Sequence, residues 1–182
     1  QEFPLILSEI GNKDKVIDFG CGDSKVYNQA LLPSGYEGIF VGIDPDPDLP
    51  AVATFPIFAN VKEFKEQNFK IREFDTLLML NALEHQSAEE SYLNLKELNP
   101  YIDGKIIIMT PNPKCFDYLF GDPQHKTFYD FQYLYGLLKH FDFSKIKIFR
   151  GKGIYQIRED MFKQDQRQVH LAEMNDMQKK VS

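Results

Sequence analysis

The segment Val16-Ile17-Asp18-Phe19-Gly20-Cys21-Gly22-Asp23-Ser24 constrains this chain more than any other. A short apolar run ends in two glycines one residue apart, and a stretch able to form a helix follows. Continuous apolar runs of this length suit strands buried on both faces of a parallel sheet. Glycines at the end of such a strand allow positive φ and let a ligand approach the backbone closely. The helix that follows presents free N–H groups and a positive dipole end. In open α/β sheets, ligands sit at the carboxyl ends of such strands. The segment therefore predicts strand, ligand-facing turn and helix.

The rest of the chain repeats that alternation. Strand-like runs recur at Ile39–Ile43, Phe74–Leu80 and Lys105–Thr110, with a weaker one at Thr54–Ala59 interrupted by Pro56. Helices are expected at Ser24–Leu32, stopping at Pro33, and at Val61–Asn68. Another is expected at Ser87–Leu98, where Ser-Ala-Glu-Glu suggests a capping box, and a last one at Phe128–Phe141. Ser144–Phe149 and Gly153–Arg158 are expected to close the sheet as a pair of strands. The predicted fold class is α/β, Rossmann-like and doubly wound, with a mostly parallel sheet of about seven strands and an antiparallel edge. A single domain over residues 1–158 is expected, followed by a polar tail over 159–182 rich in Gln, Lys and Asp.

Which ligand suits the turn depends on the acids around it. Asp44 ends the second run, 22 residues after Gly22 (44 − 22), near the spacing of about 20 expected for a ribose-binding acid. One carboxylate can accept hydrogen bonds from both ribose hydroxyls. The dinucleotide pattern G-x-G-x-x-G fails, because Lys25 occupies its third glycine position. Asp18, two residues before the first glycine, suits a ligand bearing an ammonium group better than a pyrophosphate. S-adenosylmethionine carries an ammonium, a sulfonium and a ribose, and no phosphate. The rival readings are a tight strand–helix turn without a ligand, and a solvated turn at Asp44-Pro45-Asp46-Pro47-Asp48.

These residues resemble the class I S-adenosylmethionine-dependent methyltransferases. Asp18-Phe-Gly20-Cys-Gly22 is similar to that family's first motif and Gly42-Ile-Asp44 to its second. Leu80-Asn81-Ala82-Leu83-Glu84-His85 resembles the Leu-Glu-His segment after the fourth strand of a small-molecule branch. Lys105-Ile-Ile-Ile-Met-Thr110-Pro111-Asn112-Pro113 resembles that branch's fifth strand and its ending. Gly121-Asp122-Pro123-Gln124-His125 is similar to methyltransferases associated with polysaccharide and lipopolysaccharide synthesis. Ubiquinone-type O-methyltransferases are a more distant likeness. The resemblance covers about residues 14–158 and implies an enzyme with S-adenosylmethionine as cofactor. It implies that Asp18, Gly20 and Gly22 surround the methionine moiety, that Asp44 holds the ribose, and that Pro45 packs on adenine. Asn60 and Val61 would meet the adenine edge, and Leu80 and Asn81 would border the methionine end. Ser24 replaces a frequent third glycine, and Asn60 stands where an acid is usual.

On the acceptor side, a hydroxyl acceptor benefits from a base, and histidine is the usual choice. His125 and His85 are the candidate catalytic residues, with Asp122 placed to orient His125. Their rival role is ordering of loops. His140 and His170 are read as structural or solvated. Asp122 and His125 alone offer too few ligands to argue a metal site. Aromatics between Phe116 and Tyr135 are read mainly as packing, with a few able to line a ring-shaped acceptor.

The expected partner is a small-molecule or sugar acceptor. The net charge of −6 disfavours nucleic acid. Two cysteines, Cys21 and Cys115, make no disulfide framework. No apolar run approaches the roughly 20 residues of a membrane span, and a cytoplasmic location is expected. A catalytically degenerate methyltransferase fold serving as a binding or scaffold module is the alternative function. A nicotinamide oxidoreductase is the third reading, weakened by Lys25.

Overall fold

Complete burial of β1 (Val16–Phe19) requires a neighbour on each side. The computed structural model, which describes residues 3–111, 122–146, 148–149 and 159–160, supplies both. β1 pairs in parallel with β2 (Phe40–Ile43), placing Asp18 opposite Gly42, and with β4 (Phe74–Leu80), placing Asp18 opposite Leu78. β3 (Ile57–Phe58) lies beyond β2, and β5 (Ile102–Met109) lies beyond β4, both parallel. The five-stranded order is β3-β2-β1-β4-β5. The order reverses between β1 and β4, so the chain leaves their carboxyl ends toward opposite sides of the sheet. That divergence opens the crevice in which doubly wound folds bind ligands.

Helices cover the sheet. On one face, Ile6 and Ile10, in and just after α1 (Phe3–Glu9), form a cluster with Val16, Val26, Leu31, Tyr36, Phe40 and Leu78. Elsewhere an aromatic group centres on Phe64 of α3 (Val61–Lys65). Its ring lies 5.0 Å from Phe69, 5.2 Å from Tyr101 and 5.7 Å from Phe74 between centroids. Offset and edge-on pairs at such distances add to the stability gained from burial alone. A single-turn α2 (Leu49–Val52) precedes β3. α4 (Ala88–Leu98) starts where the sequence places it. The Ser87 hydroxyl accepts the Glu90 N–H, and the Glu90 carboxylate accepts the Ser87 N–H.

The expected Ser24–Leu32 helix is altered. Tyr27–Leu31 is a π-helical turn that tightens into a 3-10 turn at Leu32–Ser34, and Gly35 ends it with φ of 79°. Pro33 does not stop the chain, because near the start of a new turn its missing N–H leaves nothing unpaired. The third strand shrinks to two residues. The fifth begins earlier than expected, through exposed Asp103 and Gly104, with a bulge between Phe74 and Thr76.

The chain divides into two compact units, 1–128 and 129–182. In the second, α5 (Phe131–His140) begins at Asp130, whose carboxylate accepts the Tyr133 N–H at 2.8 Å. β6 (Ile148–Phe149) pairs antiparallel with β7 (Glu159–Asp160) in a two-stranded sheet of its own. The expected seven-stranded sheet with an antiparallel edge is therefore corrected. Among the described residues the parallel sheet has five strands, and the antiparallel pair, two residues a side, is separate. The expected strand Gly153–Arg158 and most of the expected tail lie outside the described residues. Among the described residues, no helix is long and apolar enough to cross a membrane.

Candidate functional site

Three strand ends converge on the glycine turn. The Gly20 N–H donates to the Ile43 carbonyl at 2.8 Å, joining the end of β1 to the end of β2. Gly20 has φ of 71°, and a Cβ there would lie 2.6 Å from the Ala82 Cβ, so this turn touches the one that follows β4. Gly22 has φ of 48°, and a Cβ there would meet nothing within 4 Å. The first glycine is thus required by packing as well as conformation. The second faces open space, as a ligand-facing backbone must.

Asp44, at the end of β2, reaches across to this turn. Its Oδ2 accepts the Gly22 N–H at 2.8 Å, and its Oδ1 accepts the Asp46 N–H at 3.0 Å. Each carboxylate oxygen has a second lone pair, so the group can still accept two hydroxyls. Asp18 is almost completely buried and receives the Ser24 hydroxyl at 3.1 Å. Burial pushes its carboxyl up to about 7. The Ser24 hydrogen bond opposes that rise, and the charge of Asp44 adds to it. A buried acid in this condition favours a cationic ligand, which would stabilise its ionised form. Ser24 itself adopts φ of 40°, so it fills the left-handed position that a third glycine would take. Between these acids the Cys21 thiol is buried, and burial first, then the charges of Asp18 and Asp44, hold it well above the ordinary thiol range.

The other predicted cofactor residues are placed unevenly. Pro45 is exposed beside Asp44. Asn60 caps α3: its Oδ1 accepts the Glu63 N–H at 3.0 Å, while the Glu63 carboxylate takes the Ala59 N–H at 3.0 Å. Its side-chain oxygen is therefore engaged in helix capping. Val61 is buried, in the wall of an open depression of about 450 Å³ with Lys62, Lys65, Glu66 and Glu97. Leu80 is half-buried against the core. Asn81 is exposed with φ of 52°, held by its N–H on the Met109 carbonyl at 2.8 Å. Leu80 and Asn81 thus stand at the carboxyl end of β4, beside Ala82 and the Gly20 turn.

The two predicted histidines come together. His85 ends the 3-10 turn Leu83–His85, and the rings of His85 and His125 lie 4.9 Å apart. The 122–128 segment is fastened to the turn after β4 through its backbone. The N–H groups of Lys126 and Thr127 donate to the Glu84 carbonyl at 2.7 and 3.2 Å, and the Thr127 hydroxyl donates to the Gln86 carbonyl at 2.6 Å. Asp122 Oδ2 stands 3.8 Å from His125 Nε2, an ion-pair distance rather than a hydrogen bond. The His125 side chain is only 7% exposed, whereas His85 is half-buried. His140 is the last residue of α5, its ring 5.3 Å from that of Phe141, and His170 lies outside the described residues.

Glu84, to which the sequence reading gives no role, brings a carboxylate oxygen within 4.8 Å of a ring nitrogen of each histidine. It is 1% exposed, and its Oε2 is sealed from solvent without a hydrogen-bond partner among the described residues. Burial pushes its carboxyl up to about 7. Its own N–H and the Thr110 hydroxyl oppose that rise, and Asp122 adds to it. An acid flanked by apolar Leu83 in a predicted loop gave no sign of such burial. The signal available was its position beside His85.

Neither a family model nor a curated protein matches the sequence. Solved structures do. A methyltransferase from Archaeoglobus fulgidus, described as dependent on S-adenosylmethionine, superposes with a TM-score of 0.71 at 17% identity, over 95% of this chain and 82% of that one. The fold is that of a methyltransferase. A component of the Pnkp1/Rnl/Hen1 RNA repair complex shares this methyltransferase fold at TM-score 0.59 and 20% identity, covering 84% of this chain. Phosphoethanolamine N-methyltransferase 2 of Haemonchus contortus, solved with S-adenosylmethionine, shares it at TM-score 0.59 and 15% identity, covering 80% of this chain. The chain spans only 36% of each of those two longer proteins.

Proposed function

We propose that the chain is an S-adenosylmethionine-dependent methyltransferase acting on a hydroxyl of a small-molecule or saccharide acceptor. One observation carries the reading: the Asp44 carboxylate, at the end of β2, is held on the Gly22 N–H at 2.8 Å beside the topological switch point. That is where a nucleoside's ribose is received in this kind of sheet. The residues fit the group. Gly22 faces open space, and the acids Asp18 and Asp44 on either side of the turn favour an ammonium and disfavour a pyrophosphate. Asp18 would face the ammonium end, Asp44 would accept the ribose hydroxyls, and Pro45 would pack against the adenine. Leu80 and Asn81 would border the methionine end. Asn60, whose Oδ1 also accepts the Glu63 N–H to cap α3, and Val61 would meet the adenine edge.

When bound, S-adenosylmethionine supplies a methyl group already activated by its sulfonium. What remains for the protein is to hold the acceptor in line and to manage the proton its hydroxyl gives up. Positioning alone can account for much of the rate. The His85–His125 pair, joined to the turn after β4, is the proton-handling group, and His125 is the residue predicted from sequence for that role. Asp122 lies at ion-pair distance, 3.8 Å, from His125 Nε2.

Calorimetry with S-adenosylmethionine, S-adenosylhomocysteine and a nicotinamide dinucleotide tests the reading. Saturable binding of the first two, abolished or weakened in Asp44→Ala, is expected. Binding of neither by folded protein overturns it in favour of a scaffold module, and a preference for the dinucleotide overturns it in favour of an oxidoreductase.

A further inference from the structure

We infer that Glu84, His85 and His125 form a binding site for a divalent transition-metal ion. One ligand atom from each residue can be chosen so that all three lie within 4.8 Å of one another. A cation held at about 2.0–2.2 Å from each ligand draws such atoms to roughly 3–3.5 Å apart, which small side-chain rotations achieve. Two imidazoles and one carboxylate are a donor set suited to zinc, iron or cobalt rather than to magnesium or calcium, which prefer oxygen. Three protein ligands also leave coordination positions open for an incoming oxygen.

Two features of the surroundings point the same way. Glu84 is buried with Oε2 unpartnered among the described residues, and a carboxylate so enclosed is stabilised by a cation at that oxygen. Behind His125, Asp122 occupies the place from which a carboxylate commonly orients a metal-binding imidazole, 3.8 Å from Nε2. The backbone bonds from Lys126 and Thr127 to the Glu84 carbonyl lock the two chain segments together, so the ligands are pre-positioned before any ion arrives.

The inference stands apart from the donor reading, since the cluster does not involve the glycine turn. If that reading holds, the two combine. An acceptor hydroxyl ligated to the ion loses its proton to solvent at lower pH than a free one. The histidines then handle that proton through the ion they hold.

Titration calorimetry of the purified chain with Zn2+ tests this, with Co2+ absorbance as a second measurement. One Zn2+ per chain is expected. Glu84→Gln and His85→Ala should each weaken it by about tenfold or more, while His140→Ala and His170→Ala leave it unchanged. Should Glu84→Gln fail to fold, the wild-type Co2+ spectrum decides: intense visible bands of a low-coordinate ion support the site, and the spectrum of the hydrated ion overturns it. No saturable Zn2+ binding, equal binding by the folded Glu84→Gln and His85→Ala variants, or loss of binding in His140→Ala or His170→Ala also overturns it. S-adenosylhomocysteine is titrated in parallel. Failure of Zn2+ alone removes the metal site, and failure of S-adenosylhomocysteine alone removes the methyltransferase reading.

Discussion

Asp18→Asn should stabilise the empty protein at alkaline pH while weakening donor binding. The buried Asp18 carboxyl titrates near 7 in the folded chain against an ordinary 3.8. Between those values the native state binds a proton that the unfolded chain has released, so stability falls as pH rises. At about 1.4 kcal/mol per pH unit, the ionised carboxylate costs the folded state on the order of 4 kcal/mol above pH 7. Asparagine keeps an oxygen to accept the Ser24 hydroxyl and has no charge to desolvate. Urea unfolding at pH 5, 6, 7 and 8 reads the effect. The variant should lead by about 1.6 kcal/mol at pH 5, where part of the cost has already built up, and by about 4 kcal/mol at pH 8. Some downward slope persists in the variant, because Glu84 is displaced in the same direction. Donor binding shows the reverse cost. An ammonium next to Asp18 favours the ionised acid, so S-adenosylhomocysteine should bind wild type more tightly as pH rises from 6 to 8, and Asp18→Asn weakly and with little pH dependence. Parallel pH curves for wild type and variant would refute the reasoning, since Asp18 would then ionise alike in the folded and unfolded chains.

Asp44→Ala should weaken S-adenosylhomocysteine binding by roughly 1.5–3 kcal/mol, the range for hydrogen bonds to a charged group; calorimetry on the folded variant measures it. His125→Ala should lower kcat by about a hundredfold or more with donor affinity nearly constant, checked by single-turnover assay once an acceptor is in hand. Gly20→Ala should destabilise the fold by about 1–2 kcal/mol for its backbone conformation alone, and further for the contact with Ala82, read as a fall in the urea midpoint.

The sequence was most legible where burial is continuous. β1 and β4 match their apolar runs residue for residue, because strands covered on both faces tolerate few polar positions. The start of α4 was legible because its capping box is local. α1 was not foreseen: seven residues with an internal proline carry little periodicity, and Ile6 is buried by the sheet rather than by helix propensity. The glycine turn and Asp44 were readable from spacing, since strand, turn and partner acid recur at fixed intervals. Glu84 was not, because its burial depends on the 122–128 segment folding back some forty residues later in the chain, and no local pattern encodes that return.

The enclosed Cys21 makes the glycine turn a clock. Its thiol lies against Gly42 of β2 and is held protonated by burial and by the neighbouring acids, so it reacts with alkylating reagents only when the turn lifts. The rate at which its peptide gains mass therefore counts openings of this one loop, separately from global unfolding. A molecule that seats against Gly22 and Asp44 slows that count whether or not it is ever turned over. Ligands can thus be sought for this protein by their effect on a single sulfur atom, before any acceptor is known.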